Sequence, residues 1–324
     1  MYVAVCLPRK TRMGKLRQDP RRWYGSCSFY CSIQCYYSVK GGIAIKTVNT
    51  KTITETIARL CQDANFDLGL DMLEGFKKAY EQEVSLTGKK ILDILIKNAE
   101  IAREERVPIC QDTGYAVVFV ELGQDVRIEG GDFYEAINEG VRRGYTEGYL
   151  RKSIVGHPLE RKNTGDNTPA VIHTKIMPGE NLRIIVAPKG GGSENMSAIK
   201  MLKPADGMDG AKKFIIDTVK AAGPNPCPPM VIGVGIGGTF EKAAMLSKKA
   251  LLKEVGERSK YPDIAKLEED LLEEINNLGI GPQGLGGKTT ALDVHIEIYA
   301  AHIASLPVAV NINCHAARHK EVVF

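Results

Sequence analysis

From residue 51 onward the hydrophobic pattern of this chain switches repeatedly between the period of a helix and that of a strand, which limits its fold more than any other feature. Ile53, Ile57 and Leu60 recur at helical spacing, as do Leu92, Leu95, Ala99 and Ala102 after a break at Leu86-Thr87-Gly88. YAVVFVEL (115–122) reads as a buried strand, DFYEAINEGVRRGY as a helix, and AVIHTKI-MPGEN-LRIIVAP as a hairpin with a Pro-Gly turn. Helices are predicted around 194–202, 209–222, 239–256 and 262–277, and strands at 291–300 and 307–313. No internal repeat or long linker interrupts this order. The expected fold is a single mixed α and β (α+β) domain over 46–324, its helical N-terminal part packed against a mixed sheet.

Two glycine-rich stretches suggest nucleotides, and both fail on context. In GPQGLGGKTT (281–290) a phosphate-binding loop would need glycine at 282, where Pro282 stands, and a helix afterwards. Val294, Ile296 and Ile298 alternate as a strand instead. Gly233-x-Gly235-x-x-Gly238 follows a strand and precedes a helix, as in dinucleotide-binding folds. The acidic residue expected at the end of a second strand is missing, since Glu254 and Glu257 fall in or just after the helix.

The net charge of +4 lies at one end of the chain. Residues 1–50 hold nine of the 43 basic side chains against Asp19 alone, leaving 34 basic and 38 acidic ones beyond. This head also carries Cys6, Cys27, Cys31 and Cys35, and lacks periodicity. CSFYCSIQC exceeds by one residue the Cys-x3-Cys-x2-Cys loop of radical enzymes. Residues 1–45 are therefore expected to be an upstream stretch read in frame, with the true start near Ile43 or Ile45 after Lys40-Gly41-Gly42, the peptide a ribosome-binding site would encode. An organellar targeting peptide and a nucleic-acid arm are the alternatives. No apolar run reaches the length of a membrane span, so a soluble, cytoplasmic protein is expected, with neither membrane nor nucleic acid as partner.

Beyond the head stand Cys61, Cys110, Cys227 and Cys314. Cys61 lies in a helical pattern and reads as a small core residue. The other three each sit at a loop or strand end, in VPICQDTG, GPNPCPPM and NINCHAARH. Spacing alone leaves open a metal, an iron–sulfur cluster or unliganded thiols. Three thiolates on a cubane would leave one iron open as a Lewis acid, whereas an electron carrier more usually has four cysteines. A carrier using Cys61 as fourth ligand remains the alternative from another class.

PICQDTG, NTGDNTPAVIH, APKGGGSENMSAIKML, NPCPPMVIGVGIGGTFEKAAMLSKKALL, GPQGLGGKTTALDVHIE and VAVNINCHAARH together resemble the α component of class I, iron–sulfur-dependent fumarate hydratases and L-tartrate dehydratases, over about residues 50–324. The resemblance implies a four-iron, four-sulfur (4Fe-4S) cluster on Cys110, Cys227 and Cys314. It also implies substrate contacts from Gln111, Asp112, Arg151, the backbone of Gly191, and His302 near the cluster. A planar guanidinium suits a carboxylate. His315 is expected to support the neighbouring ligand, and the 281–290 motif to form a turn near the cluster that positions Thr289 or Thr290.

Single-chain relatives continue past the third cysteine into a domain that carries the proposed base, whereas this sequence ends ten residues after Cys314. The expected partner is a separate β subunit, in an assembly of two α and two β chains. The reaction implied is reversible hydration of the dicarboxylate fumarate to L-malate, with L-tartrate dehydration as the alternative in the same class.

Overall fold

The computed structural model describes residues 45–324, and expectations about 1–44, including the cysteines of the head, lie outside it. In chain order the elements are β1 (Lys46–Asn49), α1 (Thr50–Phe66), α2 (Leu70–Gln82), α3 (Leu86–Glu105), β2 (Tyr115–Gly123), β3 (Val126–Glu129), α4 (Phe133–Glu147), β4 (Val171–Met177) and β5 (Leu182–Lys189). They continue with α5 (Gly191–Glu194), β6 (Ala198–Leu202), α6 (Gly207–Ala222), β7 (Met230–Gly237), α7 (Phe240–Ala250), α8 (Pro262–Asn276), β8 (Ala291–Tyr299), β9 (Leu306–Asn313) and β10 (Lys320–Val323). The fold is α+β, as expected. None of the described helices is long and apolar enough to cross a membrane.

Local chemistry starts the helices where the pattern predicts them. The side chains of Asn49, Ser85 and Asp132 accept the Lys51, Gly88 and Glu135 amides at 2.9, 3.2 and 2.8 Å, capping α1, α3 and α4. Pro262 opens α8, where its missing N–H costs nothing. Each apolar face is then buried. Ile53, Ile57 and Leu60 of α1 pack with Ile137 and Val141 of α4 beneath one four-stranded sheet, ordered β10-β5-β2-β4. Ile215 and Val219 of α6 and Leu271 and Ile275 of α8 pack beneath the other, ordered β6-β9-β7-β8. A third core joins α2 and α3 to Ile109, Ala316 and Ala317.

Two strand assignments are corrected. β4 and β5 do not form a hairpin: β2 lies between them, parallel to β4 and antiparallel to β5. The helix predicted over 194–202 ends at Glu194, and Ala198–Leu202 pairs with β9 as strand β6. The local sequence reports which residues are extended but not which strand they will find. Both sheets share one arrangement, a central strand (β2 or β7) with a parallel neighbour on one side and an antiparallel one on the other.

The two glycine motifs acquire structural explanations. β7 passes so close to α7 that a Cβ on Gly233 would collide with the Ser247 carbonyl, and one on Gly235 with that of Ala243. These glycines serve helix–strand contact. The 281–290 loop does wrap an anion, but an internal one. The buried Glu83 carboxylate accepts the Val84, Ser85, Lys288 and Thr289 amides at 2.9 to 3.1 Å. Gly287, at φ 126°, leaves room where a Cβ would press on that carboxylate.

Burial opposes ionisation of Glu83, yet the converging amides outweigh it and hold its pKa below that of an ordinary glutamate. Glu268, fully buried with only the Ser259 and Ile296 amides, goes the other way: burial prevails and its pKa rises. Glu83→Gln is therefore expected to cost about 2–4 kcal/mol at pH 7, because an amide nitrogen would face N–H donors. A carboxylate with a depressed pKa stabilises the fold above its unfolded value, near 4.5, and loses that contribution as pH falls through the folded value. The gap between wild type and variant should thus close below about pH 4.5 in urea titrations; equal stability at pH 7 would refute the anchoring role.

Candidate functional site

The three cysteine-bearing loops come from different places in the chain and gather at one end of the two sheets. Cys110 lies between α3 and β2, just before the central strand of the first sheet. Cys227 immediately precedes β7, the central strand of the second, and Cys314 follows the antiparallel β9. The pairing of Val231 with Asn313 brings Cys227 and Cys314 to the same end, and the His315 amide donates to the Cys227 carbonyl at 3.1 Å. Burial first, then the nearby Cys314 and Cys110, raise the pKa of the Cys227 thiol. All three are free, Cys227 exposed and the others half-buried.

Cys61 does not join them as a ligand. It lies fully buried in the core beneath the first sheet, where burial pushes its thiol up to about 12 and keeps it protonated. Among the described residues no trio of His, Cys, Asp or Glu stands ready to hold a single metal ion. One tetrahedral ion needs every ligand within about 2.3 Å of it, whereas a cluster spreads its cysteine ligands over separate irons. Three free thiols on three loops are a donor set that a cluster, with one cysteine to each ligated iron, can use.

The neighbouring motifs converge on the same end. Asp112 accepts the Gly191 amide at 2.8 Å and the Gly114 amide at 3.1 Å, binding the Cys110 loop to the start of α5. The Gly191 amide is thus already engaged by a carboxylate. Gln111 is exposed and accepts from the Cys110 thiol at 3.0 Å. Arg151 is exposed, while its carbonyl accepts the Thr113 hydroxyl at 2.9 Å, keeping it beside the Cys110 loop. Asn167, fully buried, joins the same network by donating to the Gly114 carbonyl and accepting the Ser153 amide. From the 281–290 loop, Gln283 reaches the Pro228 carbonyl at 2.7 Å and His315 at 3.2 Å. Thr289 and Thr290 are buried and hold the loop itself: Thr290 accepts the Gly281 amide at 3.2 Å, and the Thr289 amide goes to Glu83.

His302 is not brought to this grouping. It lies exposed on the loop between β8 and β9, its Nδ1 accepting the Ala304 amide. The eight residues of β9 separate it from Cys314, about 26 Å at strand rise. The expectation that it stands near the cysteines within this chain is corrected on that ground.

Several charged or polar residues at this end were invisible in the sequence. Lys189, at the end of β5, is buried and donates to Ser193 at 2.8 Å, with Glu194 at 3.4 Å. Burial draws its ammonium down to about 8, opposed by Glu194 and assisted by Lys248. Glu194 also takes Lys248 at 2.7 Å and Asn311 at 3.0 Å, so one carboxylate holds two lysines. Tyr145 is fully buried and donates to the Thr113 and Gly114 carbonyls at 2.8 and 3.1 Å. A tyrosine on the apolar face of a helix reads as core, and only its hydroxyl end touches the site.

A profile of the family described as fumarate hydratase (fumerase) matches residues 54–323. The chain belongs to that family. A Methanocaldococcus jannaschii protein provisionally named L(+)-tartrate dehydratase subunit alpha is 46% identical over 272 residues, 82% of this chain and 95% of that protein. L(+)-tartrate dehydratase subunit alpha of Escherichia coli is 34% identical over 269 residues, 82% of this chain and 88% of its own length, and the Shigella sonnei protein of the same name matches equally. The fumerase match covers nearly all of the described residues and every loop that carries a candidate ligand.

Tyr145→Phe removes the donor that fixes two carbonyls next to Cys110. The variant is expected to lose about 1–2 kcal/mol of stability and to show faster amide exchange over residues 111–114; unchanged exchange there would refute its role in holding this loop.

Proposed function

We propose that this chain is the α subunit of an iron–sulfur hydro-lyase that dehydrates L(+)-tartrate, its site completed by a separate β subunit. The observation that carries the reading is the gathering of three free cysteines on three loops at the end where both central strands begin. Fumarate is the substrate the motifs suggest first. The relatives named for L(+)-tartrate at 46% and 34% identity favour the alternative instead. The name subunit alpha on those proteins supports a β partner.

A 4Fe-4S cluster on Cys110, Cys227 and Cys314 would supply a Lewis-acidic iron without a protein ligand, which eases departure of a hydroxyl as water. The surrounding side chains bind and orient. Arg151 offers a planar pair of donors to one substrate carboxylate at the exposed mouth of the Cys110 loop. Gly191 offers its amide to the same anion, for which the Asp112 carboxylate must turn aside. Gln111, exposed beside Cys110, uses its side-chain oxygen on the Cys110 thiol and the Asp112 amide and offers its NH2 to a hydroxyl. The proton on the adjacent carbon leaves to a base of the β subunit, and the resulting enol becomes a keto acid by proton transfer.

Lys189 is too deeply buried to reach an open substrate and serves to fix Ser193 and Glu194 behind Gly191. The Cys227 backbone, at φ 56°, and the Gln283–His315 contact fix the second ligand loop from behind. These contacts set ligand direction before any substrate arrives.

The test is anaerobic reconstitution of α alone and of α with its β subunit, followed by assay on L-tartrate and L-malate. The α chain alone should take up a cluster and turn over little. The pair should prefer L-tartrate over L-malate, the dehydration substrate that corresponds to fumarate, by at least about tenfold, because a site built to hydrogen-bond an extra hydroxyl rejects the analogue lacking it. Equal use of L-malate would overturn the choice of substrate. Serine at position 110, 227 or 314 should abolish the cluster while Cys61→Ala keeps it, and the reverse pattern would overturn the ligand set.

A further inference from the structure

Arg318 stands four residues after Cys314 and is only 6% exposed. Its guanidinium donates to the Asn65 side-chain oxygen at 3.2 Å, to the Ala316 carbonyl at 2.7 Å and to the Asp112 carbonyl at 2.9 Å. These oxygens belong to α1, to the Cys314 loop and to the Cys110 loop. Asn65 extends the tie, because its own carbonyl accepts the amide of Ile109, directly before Cys110. One side chain therefore spans the two ligand loops that come from different sheets.

The charge of this group is the second observation. All three partners are neutral oxygens, and Glu194, the carboxylate beside Lys189, is shared between that lysine and Lys248. Arg318 lines two cavities, a small one with Lys189, Lys248 and Asn313, the residue before Cys314, and a larger one with Asp71, Glu74 and Glu254. In the small cavity the guanidinium is thus accompanied by two further cations and by no carboxylate. A buried guanidinium without an ion-paired carboxylate is costly, and an anion brought near it would offset that cost.

We propose that Arg318 is a positioning residue for the cluster: it sets the Cys110 and Cys314 loops against each other and holds a buried positive charge for the sulfur-ligated cluster to balance. The inference rests on the reading of Cys110, Cys227 and Cys314 as cluster ligands. An arginine four places from a cysteine in a loop-rich tail reads from sequence as a surface charge, so nothing but its burial and its partners assigns it this role.

The test compares full-length wild type, Arg318→Lys and Arg318→Gln, each reconstituted anaerobically, with three readouts: melting temperature of the iron-free protein, rate of iron loss to a ferrous chelator, and the three-iron paramagnetic signal after mild oxidation. Arg318→Gln should lose iron at least about tenfold faster than wild type while its iron-free melting temperature falls only by what the lost hydrogen bonds cost, since the charge removed with them weighs on the cluster alone. Arg318→Lys, which keeps the charge but cannot span all three oxygens, should fall between. Iron loss at the wild-type rate in both variants overturns the proposal. So does an iron-free protein destabilised in step with its iron loss, which would make Arg318 a structural tie only. Should Arg318→Gln not fold, the lysine variant decides: faster iron loss at an unchanged melting temperature supports the role and a wild-type rate overturns it. A wild-type chain that takes up no cluster refutes the ligand set itself, an outcome read from its iron content after reconstitution before either variant is compared.

Discussion

The Glu83 carboxylate is the anion around which the glycine-rich loop is shaped. Four amides close on it, two from the entry to α3 and two from residues 288 and 289, some two hundred positions later. The loop so fixed presents Gln283 to the Pro228 carbonyl and to His315, next to two of the cysteines. The geometry behind Cys227 therefore depends on an ion pinned far away in the chain. Backbone amides that elsewhere wrap a phosphate here wrap part of the protein.

Much of the fold was legible because its signals are local. The caps at Asn49, Ser85 and Asp132 and the apolar stripes of α1, α4 and α8 announce themselves within a few residues. Strand pairing is non-local, and there the reading failed. β2 separates β4 from β5, a choice made by the parallel packing of residues 117–123 on 171–177, which no turn residue reveals. The short strand β6 resembles helix in sequence because Gly191–Glu194 does begin one, and the following half-exposed residues carry no strong alternation.

The candidate site divides in the same way. Cysteines at loop ends, bracketed by proline and glycine, stand out in a sequence, as do the motifs around Asp112 and Gly191. Buried charges do not, because Lys, Arg and Glu are by composition surface residues. Lys189, Glu194, Lys248 and Arg318 acquire meaning only through what surrounds them. His302 shows the converse limit. A residue read as near the cysteines by motif lies at the other end of a strand, since motif order carries no distance.

Cys110 leads into the first sheet and Cys227 into the second, while Cys314 lies where the chain passes from the second sheet back to the first. Anything that binds all three sulfurs is therefore also a cross-link, closing two long stretches of chain in the manner of a disulfide network and removing their loop entropy. Loss of such a group would change the mechanics of the molecule as well as its chemistry, leaving the core around Ile109 and Val231 to hold the two sheets together.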